Sequence, residues 1–116
     1  MTDNQDLISR AYEGFNARDI DGVLQLLTPT VDWPNGWEGG YVHGHDAVRD
    51  YWQRQWQEIN PTVTPVSFRD LPTGQTEVIV HQLIEDKHGA LLTDGLIKHV
   101  YTIEGGLICR MDIVKP

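Results

Sequence analysis

The sequence predicts an α+β domain in which a curved antiparallel sheet packs against helices formed by the first half of the chain. Apolar residues recur at helical spacing before residue 60, whereas from Thr62 onward the chain consists of β-rich runs separated by short turns that contain Gly or Pro. Helices followed by strands are typical of this class, because each layer must bury its apolar side against the other. At 116 residues the chain is long enough for one hydrophobic core and too short for two, so we assign residues 1–116 to a single domain.

Three helices are predicted in the first half of the chain. The first covers about residues 3–17 and carries the stripe of an amphipathic helix, which consists of Leu7, Ile8, Ala11, Tyr12 and Phe15. Asp19 is a suitable N-cap for a short second helix, which Pro29 ends. A third helix should run from about Asp46 to Ile59, because Pro61 cannot continue it.

The third predicted helix bears three large aromatic side chains on one face, namely Tyr51, Trp52 and Trp56. Rings of this size bury more area than the packing of one helix usually requires. Two interpretations follow from the pattern. The rings are simply core, or Trp52, near the start of the helix, lines a cavity beneath the sheet.

A brief strand is expected at residues 30–33, where Pro34 stops it. Four longer strands are predicted at about residues 62–71, 75–85, 91–104 and 106–114. The last two flank Glu104–Gly106, and a Gly pair between β-rich runs indicates a hairpin, since Gly reaches the positive φ of a tight turn. We therefore expect the chain to end in a hairpin.

The first strand of that hairpin holds the candidate site, because strand alternation puts His99 and Tyr101 on one face among apolar neighbours. The length of the turn decides which residue of the last strand lies opposite His99. A two-residue turn places Asp112 opposite His99, whereas a three-residue loop with a bulge places Met111 there. We favour the three-residue loop, because the alternating apolar residues of the last strand then face inward. These residues are Leu107, Cys109, Met111 and Ile113.

Charge and hydropathy exclude several classes of partner. A net charge of −8 argues against nucleic acid and against anionic membranes, both of which require a basic surface. Apolar runs fall far short of the roughly 20 residues that span a bilayer. The N-terminus is acidic and polar, unlike a signal peptide, so we expect a cytoplasmic protein.

No cofactor and no metal are expected. The sequence lacks the serine-hydrolase elbow, the phosphate loop and the dinucleotide fingerprint. The two histidines of His43–His45 and the nearby Glu38 raise the question of a metal site. A Gly-rich loop gives no fixed ligand geometry, however, and the sequence does not support a third ligand. Cys109 is the single cysteine, which excludes an internal disulfide and any multi-cysteine zinc site.

Three segments resemble the SnoaL-like branch of the nuclear transport factor 2-like superfamily: FNARDIDGVLQLLTPTVDWPNG, VHGHDAVRDYW and HVYTIEGGLICRMDI. That superfamily includes ketosteroid isomerases, polyketide cyclases, limonene epoxide hydrolase and scytalone dehydratase. The resemblance covers nearly the whole chain and implies a cone-shaped sheet wrapped around the N-terminal helices, a cystatin-like α+β barrel. Since one such fold hosts many chemistries, the resemblance specifies the fold better than the reaction.

Comparison with the ketosteroid isomerases is informative where this sequence differs. By that resemblance a catalytic Asp would precede Pro34, but Trp33 stands there. The catalytic Tyr of the first helix falls on Ala11, next to Tyr12, and the proton-sharing Asp falls on His99. Both carboxylates of that mechanism are therefore absent, and steroid isomerisation by a carboxylate base is not expected.

The pocket that remains is apolar with a few polar groups, which suits a small hydrophobic ligand. We predict His99, Tyr101 and His81 as its catalytic residues, since a His near its reference pKa of about 6.5 can give or accept a proton. The predicted ligand-binding residues are Phe15, Trp33, Trp52, Met111 and Tyr12. The resemblance also implies pocket-lining positions for Phe15, Trp52 and His81.

Three functions are compatible with this pocket. The first is a cofactor-free enzyme that isomerises, cyclises, hydrates or dehydrates a small apolar compound, with His99 as general acid or base. The second is a non-catalytic ligand-binding or accessory domain, and the third is a structural dimerisation module. A homodimer through the outer face of the sheet is implied by the resemblance and by four residues expected on that face, Val78, Val80, Ile84 and Val100.

Overall fold

A computed structural model of the protein describes residues 2–36 and 38–114. Within these residues the elements follow one another as α1 (Asp3–Asn16), α2 (Ile20–Leu24), β1 (Leu27–Pro34), β2 (Tyr41–His43), α3 (His45–Glu58), β3 (Ile59–Asp70), β4 (Thr76–Asp86), β5 (Leu91–Glu104) and β6 (Leu107–Val114). The α+β class is therefore confirmed. In the described part of the chain, no helix has the length and apolar character to cross a membrane.

The helices α1 and α3 begin and end close to their expected positions, whereas α2 ends at Leu24 and Pro29, predicted to end it, lies in β1. Thr2 caps α1 by accepting a hydrogen bond from the backbone N–H of Gln5 at 3.1 Å. Asp19 caps α2 in the same way, through the N–H of Gly22. Gly44 precedes α3 with a φ of 85°, a conformation that suits Gly, and so forms the turn into that helix.

The sheet has six strands in the order β2-β1-β6-β5-β4-β3. The strands from β3 to β6 pair antiparallel, as predicted. The expectation of a wholly antiparallel sheet is wrong, because β1 runs parallel to β6. In this position β1 covers the edge of β6 that the final hairpin leaves open. The three-residue strand β2, too short for a periodic signal, in turn pairs with β1.

Both predicted registers of the final hairpin are wrong at His99. The turn is the two-residue Gly105–Gly106 pair, with both φ angles positive, but a bulge then shifts the register between Thr102 and Ile103. The extra residue on β6 puts Met111 opposite Tyr101 and Ile113 opposite His99. An apolar side chain therefore lies opposite His99, as in the favoured register, but it is Ile113 and not Met111.

The two faces of the sheet differ sharply in burial. On β4 and β5 the inner face, toward the helices, presents Val78, Val80, Gln82, Ile97, His99 and Tyr101, and the outer face presents Glu77, Ile79, His81, Leu96 and Lys98. Val78 and Val80 are fully buried in the core. The prediction that these two valines lie on the outer face is therefore wrong.

Candidate functional site

A cavity of about 100 Å³ lies between the helices and the inner face of the sheet. Every layer of the fold contributes to its wall, which is formed by Ala11, Tyr12, Phe15, Val23, Trp33, Pro34, Gly36, Tyr51, Trp52, Gln55, Pro61, Val63, Gln82, His99, Tyr101, Met111 and Ile113. All five predicted ligand-binding residues are among them. None of these lining residues is an Asp, Glu, Lys or Arg.

Aromatic rings form one side of the cavity. Trp52 is 1% exposed and makes edge-on contacts with Trp33 at 5.4 Å and with Phe15 at 5.5 Å between ring centroids. Trp56 stacks behind Trp52, at 5.9 Å, outside the lining. Both interpretations of this helix face thus hold in part, since Trp52 is core and also lines a cavity.

Two contacts hold the helices over the sheet. The side chain of Asn16 donates to the carbonyl of Val63 at 2.7 Å and accepts from the Val63 N–H at 3.0 Å, which joins the end of α1 to β3. The hydroxyl of Tyr51 accepts a hydrogen bond from the N–H of Gly36 at 3.1 Å, which joins α3 to the segment after β1. These contacts position Phe15 and Trp52 above the cavity.

A buried polar cluster forms the deep part of the cavity. The hydroxyl of Tyr12, on α1, lies 2.8 Å from Nδ1 of His99 on β5. The ring of Tyr12 also packs edge to face against Tyr101, with 6.0 Å between ring centroids, and Tyr101 is 1% exposed. Among the described residues, Tyr12 is the single hydrogen-bond partner of the His99 ring, so its Nε2 makes no bond to another described group.

Burial makes this cluster uncharged at neutral pH. Desolvation lowers the pKa of His99 from 6.5 to about 4. Desolvation likewise raises the pKa values of Tyr12 and Tyr101 well above their usual value. The cluster therefore offers a neutral imidazole and two protonated hydroxyls, which can orient a ligand oxygen by hydrogen bonds.

His81 does not lie at the cavity, and its predicted inward orientation is wrong. Its Nε2 is 2.6 Å from Oδ1 of Asp94 on the neighbouring strand, and its side chain is 44% exposed. Because Val80 and Gln82 face inward, the residue between them must face outward.

Two polar residues of the cavity were missed by the sequence analysis. Gln82 shares the inner face of β4 with Val78 and Val80, and it was missed because the sequence analysis assigned that face to the outside. Gln55 lies one helical turn after Tyr51 and donates to its hydroxyl at 3.3 Å. Both amides add neutral hydrogen-bonding groups to the wall.

The two histidines considered for a metal have other partners. His43 contacts the carboxylate of Asp32 at 2.7 Å, and Nε2 of His45 lies 3.0 Å from the carbonyl of Leu27. Among residues 2–36 and 38–114, no group of three His, Cys, Asp or Glu side chains is arranged to hold a metal ion.

Comparison with known proteins assigns the fold. The model of the SnoaL-like domain family matches residues 8–111, and no curated protein matches the chain. An NTF2-like protein of unknown function from Burkholderia pseudomallei is 25% identical, covers 100% of this chain and 92% of its own, and superposes with a TM-score of 0.85.

Two further solved structures superpose equally well. TerC, co-crystallised with polyporic acid, is 23% identical over 99% of this chain and 92% of its own, with a TM-score of 0.85. Rv0760c from Mycobacterium tuberculosis, in complex with estradiol-17β-hemisuccinate, is 18% identical over 100% of this chain and 95% of its own, again with a TM-score of 0.85. At these identities the likeness establishes the fold alone.

Proposed function

The chain belongs to the SnoaL-like domain family, and from the geometry of its cavity we propose that it binds a small, neutral, largely apolar ligand that carries a carbonyl or hydroxyl oxygen. One observation carries the proposal, namely that a buried, uncharged hydrogen-bonding cluster of His99, Tyr12 and Tyr101 faces a cavity whose lining has no charged side chain. Buried polar groups without a partner cost free energy, and a ligand oxygen at this point would supply one.

The ligands of two relatives support this proposal. TerC was co-crystallised with polyporic acid, and Rv0760c with a derivative of estradiol. Both relatives share the fold over almost the whole chain, so proteins of this architecture are found together with small organic molecules.

Acid–base catalysis is a second candidate function, and the arrangement of hydrogen bonds in the buried cluster favours it. With a proton on Nδ1, His99 donates to the hydroxyl of Tyr12, and the hydroxyl of Tyr101 remains for a ligand oxygen. The Nε2 lone pair of His99 could then accept a proton from the carbon next to a ligand carbonyl while Tyr101 stabilises the enolate oxygen. Return of the proton to another carbon completes an isomerisation, with no cofactor required.

His99→Asn tests both candidates, because the amide can keep a hydrogen bond to Tyr12 while Nε2 is lost. We expect p-cresol and acetophenone to quench tryptophan fluorescence of the natural protein and to shift the His99 ring signals in NMR spectra. The variant should bind p-cresol, whose hydroxyl can donate to Nε2, about tenfold more weakly, the equivalent of one hydrogen bond. His81→Asn, on the outer face, is the matched control.

Turnover has its own measurement, the exchange of the methyl protons of acetophenone for solvent deuterium. Catalysed exchange that His99→Asn abolishes would support acid–base chemistry. Binding without catalysed exchange leaves the ligand-binding function and removes the catalytic one. If neither compound shifts any signal of the cavity, the proposed function is wrong.

A homodimer through the outer face accompanies this proposal. That face exposes Leu96 by 56% and Val114 by 41%, and a second copy of the chain would cover them. We expect light scattering to give twice the chain mass for the natural protein and the chain mass for Leu96→Lys. A monomeric natural protein at micromolar concentration would contradict the dimer.

A cytoplasmic location stays a prediction of the sequence.

A further inference from the structure

The aromatic rings of the cavity wall form a continuous series of contacts. The ring of Trp33 contacts that of Trp52 at 5.4 Å between centroids and lies 6.4 Å from that of Tyr101. At its two ends the series continues to Phe15, 5.5 Å from Trp52, and to Tyr12, 6.0 Å from Tyr101. Rings in direct contact have centroids about 4.5–7 Å apart, so a further ring does not fit between any two neighbours of this series.

Trp33 joins the two parts of this series. Alternation on β1 turns its side chain inward, since the neighbouring Asp32 pairs with His43 on the outer face. The indole is 9% exposed and contacts both Trp52 on helix α3 and Tyr101 in the buried polar cluster. It therefore fills the space between the helix side of the cavity and that cluster.

The volume that the rings leave open is small. The cavity measures about 100 Å³. Because an apolar cavity of about 150 Å³ binds benzene, the space here is sufficient for a single ring and not for two. Protein interiors are closely packed, so a larger molecule could enter only if one of the lining side chains gave up its place.

We propose that the ligand has a single six-membered ring and that Trp33 is the residue that sets this limit. The inference rests on the proposed function, since it concerns the ligand of the same site. A phenol or a carbonyl compound with one ring can present its oxygen to His99 or Tyr101 while its ring lies against the indole of Trp33. A second, fused ring would have to occupy the volume that the indole fills.

Two phenols of different size test the limit in the natural protein by titration calorimetry. Both p-cresol and 2-naphthol carry one hydroxyl, but 2-naphthol has two fused rings. If space were available, burial of its additional apolar surface would make 2-naphthol bind about tenfold more tightly than p-cresol. We expect the opposite order, with 2-naphthol bound about tenfold more weakly, because its second ring meets the indole of Trp33.

Trp33→Leu removes the indole and keeps the wall apolar. We expect this variant to bind 2-naphthol about tenfold more tightly than the natural protein does, and to keep its affinity for p-cresol, which also shows that it is folded. Trp56→Leu is the matched control, because Trp56 stacks on Trp52 in the same aromatic group without lining the cavity, and it should change neither affinity. Trp33→Phe, which removes less of the ring, should give a smaller gain and serves if the leucine variant does not fold.

The outcomes separate this inference from the function on which it rests. If the natural protein binds 2-naphthol as tightly as p-cresol or more tightly, the one-ring limit is wrong and the ligand-binding function stands. If both Trp33 variants bind 2-naphthol as weakly as the natural protein does, or if Trp56→Leu gains as much as they do, Trp33 does not set the limit. If neither phenol binds to the natural protein, the proposed function fails, and the one-ring limit fails with it.

Discussion

Histidine has opposite environments on the inner and the outer face of the sheet. His99 on β5 is 6% exposed, hydrogen-bonds to a tyrosine, and has its pKa lowered to about 4 by burial. His81 on the adjacent strand is half-exposed and pairs with the carboxylate of Asp94. The difference arises from the parity of each residue in its strand, because successive side chains point to opposite faces. Position in the alternation, rather than residue type, therefore decides which histidine can contact a ligand.

The largest contrast between the faces is expected in packing. Trp52→Ala removes a ring that packs between Phe15 and Trp33 over the inner face, and should lower the free energy of unfolding by about 3–5 kcal/mol. Leu96→Ala on the outer face, where the side chain is 56% exposed, should cost less than about 1 kcal/mol. Urea unfolding of both variants at one low protein concentration measures the contrast. Equal losses would mean that the outer face is as closely packed as the cavity wall.

The next contrast is a dependence of stability on pH that the buried ring of His99 causes. Because the pKa of His99 falls from 6.5 to about 4 on folding, between these values the unfolded chain holds a proton that the folded protein lacks. The free energy of unfolding should therefore fall as the pH drops from 6.5 toward 4, by about 2–3 kcal/mol between pH 7 and pH 4.5. Above pH 6.5 the ring is neutral in both states, so it adds no pH dependence there.

Urea unfolding at pH 7 and pH 4.5 tests this expectation. His99→Asn should remove that part of the acid-side loss, whereas His81→Asn should leave it in place. Among the described residues no carboxylate contacts the ring of His99, so the difference between the natural protein and His99→Asn isolates the buried ring. An unchanged acid-side loss in His99→Asn would show that the ring is not held neutral by burial.

The smallest contrast concerns two tyrosine hydroxyls. Tyr12→Phe leaves Nδ1 of His99 without its partner in a buried site, which should cost about 1–3 kcal/mol. Tyr41, 48% exposed, donates to Asp112 on the outer face, and Tyr41→Phe should cost less than about 0.5 kcal/mol because water replaces the hydroxyl. Thermal unfolding compared with the natural protein measures both. A larger loss for Tyr41→Phe would reverse the assignment of the polar core to the inner face.

The elements of the fold were predictable where a pattern is long and has one period. The stripe on α1 and the caps at Thr2 and Asp19 involve residues a few positions apart, so local sequence contains the information. On β4 the alternation is ambiguous, because Val78, Ile79 and Val80 are all apolar and either face could be the buried one. The wrong face was therefore assigned to His81 and to the two valines.

Part of the candidate site was predictable for the same reason. His99 and Tyr101 are two residues apart in one strand and must share a face, whichever register the hairpin takes. Gln55 and the partnership of Tyr12 with His99 depend on how α1 and α3 lie over the sheet, and no local spacing contains that placement.

By itself, the sequence determined the α+β class, the positions of the helices, and a strand face that combines His99 with Tyr101, because each follows from the periodicity of neighbouring residues. Only the tertiary structure decided which face of β4 is buried, that β1 runs parallel to β6, and that one bulged residue puts Ile113 opposite His99. These features depend on contacts between segments far apart in the chain. Burial beneath the helices also decided that His99 is neutral, since desolvation is a property of the packed molecule.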